Sequence, residues 1–139
     1  KRFAAGSWAP TTLAWGHDNR TCGFRIVGHG QALRTETRIP GGDVNPYLAF
    51  AALIAAGLHG IEKELELPPA LEGNAYESDA ERFPHSLREA IAALEDGSVG
   101  RQALGDEVVD HYLNYAYTEQ RLFDEVVTCY ERERMFERG

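Results

Sequence analysis

The spacing of hydrophobic and polar positions changes character twice along the chain. Over the first forty residues the signal has period two, the period at which a strand sends alternate side chains to opposite faces. Residues 11–15, TTLAW, have strand composition, and Gly16-His17-Asp18-Asn19 interrupts them with turn formers. Phe24 and Ile26 then alternate with Arg25 and Val27, which puts Arg25 on the face opposite the phenylalanine and isoleucine. Gly28-His29-Gly30 supplies permissive backbone for a reversal into Ala32–Ile39, so the pattern predicts an antiparallel hairpin. A favourable register brings Arg25 near residues 34–38, although alternation alone does not set register. Ahead of this, KRFAAGSWAP mixes Gly, Ser and Pro with aromatics and reads as a loop lying against the body of the protein.

After Pro40-Gly41-Gly42-Asp43 the period becomes helical. Asn45 is a good N-cap and Pro46 suits a first helical position, which predicts a helix to about Lys63. Tyr47, Leu48, Phe50, Leu53, Ile54, Leu58 and Ile61 leave almost no polar face, so the expectation is a buried helix backing the hairpin. Gly57 and Gly60 suggest close approach of another element. Leu67-Pro68-Pro69 stops the helix, and residues 68–84 read as a polar connection, either wrapped on the domain or mobile. Ser86-Leu87-Arg88-Glu89 has the form of a capping box, followed by apolar residues 87, 91 and 94 at helical spacing up to Asp96-Gly97. From about Gly105 to Phe136 the periodicity predicts one long helix whose tyrosines serve core or interface, with a solvated last turn. The fold class is therefore α+β: an antiparallel hairpin region backed by a buried helix, then a helical C-terminal half, in a single domain.

Composition adds two restrictions. With 43% hydrophobic and 26% charged residues the chain is ordinary globular protein, and no apolar run is long enough to cross a membrane. A cytoplasmic location without a membrane partner is expected. Cys22 and Cys129 are far apart and form no CxxC pair, so neither a zinc site nor a disulfide framework is indicated. The chain begins at Lys1 without Met or signal segment, which reads as a cut, and hence as a fragment.

Charge is uneven. Residues 1–40 hold six basic groups against two acidic ones, a net +4, while the rest holds eight against twenty, leaving −8 overall. One arginine cluster in an acidic protein suits a small polyanion such as a nucleoside triphosphate and not a nucleic-acid backbone. Within that cluster Arg34, Glu36 and Arg38 recur every second residue and share one strand face, at a spacing of roughly 6.6 Å. A glutamate oxygen suits a hard cation, and planar guanidinium forks suit phosphate and carboxylate oxygens. The competing reading is an exposed ladder of salt bridges. His29, between glycines at the hairpin tip, is expected to be solvent-exposed; His17 lies in the loop before Arg20 and is either structural or part of an acceptor pocket.

These stretches resemble a known family. DNRTCGFRIV, RTETRIP and NPYLAFAALIAAGLHGIE, then LPPALEGNAY and FPHSLREAIAALE, are similar in order and spacing to the C-terminal part of the catalytic domain of the glutamine synthetase superfamily. The closer likeness is to its γ-glutamyl-amine ligases. The resemblance implies that residues 1–139 are part of a catalytic domain whose remainder, with the N-terminal domain, is absent. It implies an ATP-dependent ligase using Mg²⁺ or Mn²⁺, acting on glutamate and ammonia or an organic amine, and forming a ring-shaped homo-oligomer at full length. Arg20, Arg25 and Arg34 match ATP-binding positions, Glu36 a metal ligand, and Arg38 an arginine holding the substrate carboxylate. Arg20 and Arg38 carry the catalytic roles, and Arg2 matches a substrate-binding arginine. Gln31 and Leu33 stand where bacterial glutamine synthetases often carry Lys and Arg. The alternative function is a non-catalytic domain that binds nucleotide or anion.

Overall fold

A computed structural model describes residues 3–136 and residue 138. They divide into two compact units, one up to Ser86 and one from Leu87. The fold class is α+β.

In the first unit β1 (Thr12–His17), β2 (Cys22–Val27) and β3 (Arg34–Thr37) form a sheet in the order β1-β2-β3. The expected hairpin is there: β2 and β3 are antiparallel, with Arg25 directly opposite Glu36. Gly28 makes the reversal possible, since its φ is +84° and a Cβ there would stand 2.2 Å from the Ala32 carbonyl oxygen. A short 3-10 turn at Gly30–Ala32 completes the connection.

β1 is a true strand, but it runs parallel to β2. Residues 18–21 link the two, where parallel neighbours ordinarily need a dozen or more. Asp18 turns the chain with left-handed backbone (φ 48°) and donates its N–H to the Ile26 carbonyl at 2.9 Å. A turn closed by the Cys22 N–H on the Asn19 carbonyl, 3.4 Å, then returns the chain beside Thr12. Cys22 is fully buried there, and burial pushes its thiol pKa up.

The connection after the helix is ordered along the outer edge of β1. Leu71 and Phe83 donate backbone N–H groups to the carbonyls of Trp15 and Thr11, at 2.8 and 3.1 Å, and Leu13 donates to Glu81 at 2.8 Å. Thr12 and Arg82 make an antiparallel bridge, and the Trp15 indole donates to the Pro68 carbonyl at 2.8 Å. The sheet edge is thereby satisfied by the chain's own loop. Phe83 and Ala75 are buried against it.

Helix α1 (Pro46–Glu62) starts where expected, with the Asn45 side chain accepting from the N–H groups of Tyr47 and Leu48 at 3.0 and 3.3 Å. The expectation that it is buried is corrected. None of its residues is buried, Tyr47 is 86% and Ile61 76% exposed, and nothing lies within 4 Å of a Cβ built on Gly57 or Gly60. A helix that is apolar all round asks for cover. No element among the described residues supplies it, so α1 does not back the hairpin here.

The second unit contains α2 (Leu87–Asp96), α3 (Ser98–Leu104), α4 (Asp106–Asp124) and α5 (Cys129–Phe136). Its core is Ile91, Val109 and Leu113, with Leu94, Leu104 and Ala116 packed around them. Arg101 pairs with Asp106 and Asp110 at 3.0 and 2.8 Å across the α3–α4 junction. The single long helix expected from residue 105 is two helices. Glu125–Thr128 breaks it, and a reciprocal cap starts α5: the Glu131 N–H donates to Thr128 Oγ1 at 3.2 Å, and the Thr128 N–H donates to Glu131 Oε2 at 2.8 Å. Helix α3 falls in a stretch where no element was expected. Tyr115, Tyr117 and Tyr130 are exposed and Tyr112 half-buried, so the tyrosines do not build this core. No described helix is long and apolar enough to cross a membrane.

Candidate functional site

The β2–β3 register decides the geometry of the site. Arg25 Nη1 donates to Glu36 Oε2 at 3.0 Å, and Arg38 Nη1 donates to Glu36 Oε1 at 2.7 Å. On its other side Arg25 gives Nε–H, 3.0 Å, and Nη2–H to Oδ1 of Asp18. Arg38 continues the row, with Nη2 donating to the Trp8 carbonyl at 2.8 Å and its backbone N–H to the Gly23 carbonyl at 2.9 Å. Trp8 offers that carbonyl from a left-handed backbone, φ 61°. The result is an alternating series Asp18, Arg25, Glu36, Arg38 along one face of the sheet.

Both arginines are largely covered, with side chains 15% and 20% exposed, whereas Asp18 is 77% exposed. The charges set the protonation states. The Arg38 hydrogen bond holds the Glu36 carboxyl below the ordinary carboxylate value, against partial desolvation, with Arg25 helping. The Arg25 hydrogen bond does the same for Asp18, and Asp18 in turn raises the Arg25 pKa.

Beside this face lies a cavity of about 970 Å³. Arg20, Arg25, Asp18 and His17 line one side, and residues 70–74 with Tyr76 line the other. Asn19 joins the two walls. Its Nδ2 donates to the carbonyls of Leu71 and Gly73 at 3.3 and 2.8 Å, and its Oδ1 accepts from the Thr21 N–H and hydroxyl at 3.0 and 2.7 Å. The Thr21 hydroxyl also accepts from the Ala75 N–H at 2.9 Å, and the Tyr76 hydroxyl donates to the Ala9 carbonyl at 2.9 Å. The loop carrying Arg20 is thus anchored at every turn. Arg20 itself is exposed at the cavity wall, near enough to Asp18 that its charge helps lower that carboxyl's pKa.

Of the residues singled out in the sequence, the fold brings Arg25, Glu36 and Arg38 together and sets Arg20 beside Arg25. It does not bring Arg34 to them: its Nη1 donates to the Ala32 carbonyl at 3.2 Å and its side chain is exposed. Strand alternation fixes only where a Cβ points, and the long arginine side chain turns back along its own loop. Arg2 lies outside the described residues. His17 is exposed at the cavity, its ring 5.5 Å from that of Trp15, and His29 is exposed at the turn. Asp18, Asn19 and the 70–76 wall were not foreseen. The Asp-Asn pair in a turn was the available signal, since both residues bond local backbone and tolerate left-handed conformations.

The donor set does not by itself fit a divalent cation. Both Glu36 oxygens already accept from guanidinium groups, and among the described residues no three His, Cys, Asp or Glu side chains group together. Glu36 offers one ligand at most.

The chain that carries this alternating row and the cavity beside it belongs to the glutamine synthetase family: residues 1–135 match the family described as "Glutamine synthetase, catalytic domain". It is 59% identical over 138 residues to the γ-glutamylethanolamide synthetase GlnA4 of Streptomyces coelicolor, covering 99% of this chain and 30% of that protein. The type-1 glutamine synthetase 2 of Dictyostelium discoideum is 43% identical over 142 residues, covering 99% and 27%. Among solved structures, a GmaS/ADP complex superposes with a TM-score of 0.86 at 33% identity, over 96% of this chain and 31% of that one. The chain therefore spans about 30% of the length of the relatives it matches.

Proposed function

We propose that this chain supplies the phosphate- and carboxylate-binding portion of an ATP-dependent ligase that joins glutamate to an amine. The observation that carries the reading is the convergence of Arg25 and Arg38 on Glu36 beside a cavity walled by Arg20 and Arg25, in a chain of the glutamine synthetase family. In the reaction, an oxygen of the glutamate γ-carboxylate attacks the γ-phosphorus of ATP and the bond to ADP breaks. The amine nitrogen then attacks the carbonyl carbon of the γ-glutamyl phosphate, phosphate leaves, and the nitrogen loses a proton. Each step moves negative charge across oxygens, and fixed guanidinium groups stabilise it without reorganising.

Arg20 and Arg25 take phosphate oxygens, and Arg34 is a further nucleotide-binding arginine. Arg38 holds the substrate carboxylate, and Arg2 contributes to glutamate binding. The Mg²⁺ or Mn²⁺ that goes with this chemistry needs ligands beyond Glu36. A ring-shaped homo-oligomer and a cytoplasmic location accompany the reading.

For the acceptor, an organic amine is favoured over ammonia. The 59% identical relative is named for γ-glutamylethanolamide, and His17, in the loop before Arg20, lines the cavity. The test is ADP and amide formation by the full-length protein with ATP, glutamate and either ethanolamine, putrescine or ammonium. Faster turnover with an amine than with ammonium, at equal free-base concentration, is expected, and the 139-residue chain alone is expected to show none. Nucleotide binding without any turnover by the full-length protein would favour the non-catalytic alternative, and product from ammonium alone would make it a glutamine-forming enzyme.

A further inference from the structure

Asp18 is a carboxylate on the wall of a cavity whose other charged residues are Arg20, Arg25 and Glu72, and charge alone makes it a poor choice beside two arginines that are to hold an anion. It lowers the positive potential that Arg20 and Arg25 give that wall, and an anionic ligand would be repelled by it. Its backbone is also left-handed (φ 48°), a conformation costly for most side chains and tolerated best by Gly, Asn and Asp. Yet the residue is closely held. Just past the end of β1, its N–H is fixed by the Ile26 carbonyl of β2, and its Oδ1 accepts both Nε–H and Nη2–H of Arg25.

Arg25 is consequently clamped by two carboxylates from different parts of the sheet, Asp18 in the β1–β2 turn and Glu36 on β3. Three of its five N–H donors are committed, and the guanidinium plane is set before any ligand arrives. A side chain immobilised in advance loses less rotamer freedom on binding.

We propose that Asp18 is a positioning residue: by closing one edge of the Arg25 guanidinium it presents the remaining N–H donors to the phosphate oxygens of a nucleotide in the adjoining cavity. The proposal rests on the ligase reading for the nature of the ligand. Its distinguishing mark is a sign. Removing a negative charge from an anion site should strengthen phosphate binding if Asp18 acts through charge, and weaken it if Asp18 acts through Arg25.

The experiment is calorimetric titration of the full-length protein with ADP and, separately, with inorganic pyrophosphate. Wild type is compared with Asp18→Asn and Asp18→Gly, each also in an Arg25→Lys background. Asn keeps the size and tolerates the left-handed backbone; Gly removes the acceptor without backbone strain. The expected result is about tenfold weaker ADP binding for Asp18→Asn, at least as large a loss for Asp18→Gly, and no further loss from either in the Arg25→Lys background. Unchanged or tighter binding by Asp18→Asn overturns the proposal, as does a loss that persists undiminished when Arg25 is already lysine. If the glycine variant does not fold, the asparagine variant decides. A wild type that binds neither ADP nor pyrophosphate removes the nucleotide reading together with this one; a wild type that binds them, with Asp18→Asn unaffected, removes only the role of Asp18.

Discussion

Arg25 stands directly across the β2–β3 ladder from Glu36, with Nη1 3.0 Å from Oε2, and Arg38 closes on the other oxygen of the same carboxylate at 2.7 Å. One glutamate thus keeps two guanidinium groups close together, one on each of its oxygens. Like charges at that separation repel, so the spacing of the arginines depends on the anion between them.

Glu36→Gln separates a structural role from a catalytic one. The amide keeps the shape and one acceptor oxygen but leaves Arg25 with Asp18 as its one remaining carboxylate partner and takes the charge from the carboxylate beside Arg38. Half-exposed ion pairs contribute modestly to folding, so the thermal midpoint should fall by only a few degrees. Glutamate-dependent ADP formation by the full-length protein should fall by about a hundredfold, because the carboxylate that holds Arg25 and Arg38 in place for the transferring group is lost. A large drop in melting temperature, with activity per folded molecule retained, would assign Glu36 to the ladder alone.

The same carboxylates set an acid limit on stability. Asp18 and Glu36 have folded-state pKa values lowered from the ordinary 3.8 and 4.5. Between the lowered and ordinary values the unfolded chain binds more protons, so stability rises with pH there. Their contribution is complete above the ordinary values and is lost as pH falls through the lowered ones. Urea melts of wild type and Glu36→Gln should therefore differ at neutral pH and converge as pH falls below about 4. A difference that persists unchanged into acid would argue against the ion pairs as its source.

Much of this arrangement is legible in the sequence. Asn45-Pro46 marks the start of α1, and the alternation of Phe24, Arg25 and Ile26 before Gly28 implies the hairpin, while the register that sets Arg25 opposite Glu36 is left open by alternation and comes from the fold. The parallel β1 was not legible, because a link so short works only with Asp18 left-handed and Asn19 tied to the 71–73 backbone. Hydrophobic periodicity carried the long helix through Val126 and Val127, although Thr128 and Glu131 repeat the capping spacing already noticed at Ser86 and Glu89. For α1 the pattern expressed a need for cover without naming a partner.

The restart of the chain at α5 should be sensitive to its cap. Thr128→Ala removes the hydroxyl that accepts the Glu131 N–H and the hydroxyl proton that Glu131 Oε2 accepts at 2.7 Å. A lost cap of this kind costs about 1 kcal/mol of helix stability. Amide hydrogen exchange in residues 130–136 should speed up by about fivefold, while exchange in the middle of α4 stays as it was. Equal acceleration in both helices would mean that they open as one unit and that the break at residues 125–128 carries no independence.

The chain's two cysteines offer a built-in pair of chemical clocks. Cys129 lies exposed at the start of α5, whereas Cys22 is sealed in β2 with its thiol held in the unreactive protonated form. A maleimide dye added to the native protein will therefore mark the helical unit first and at once. The second dye enters only when the sheet carrying Arg25 opens, so its slow arrival measures how often that unit comes apart, with no residue changed.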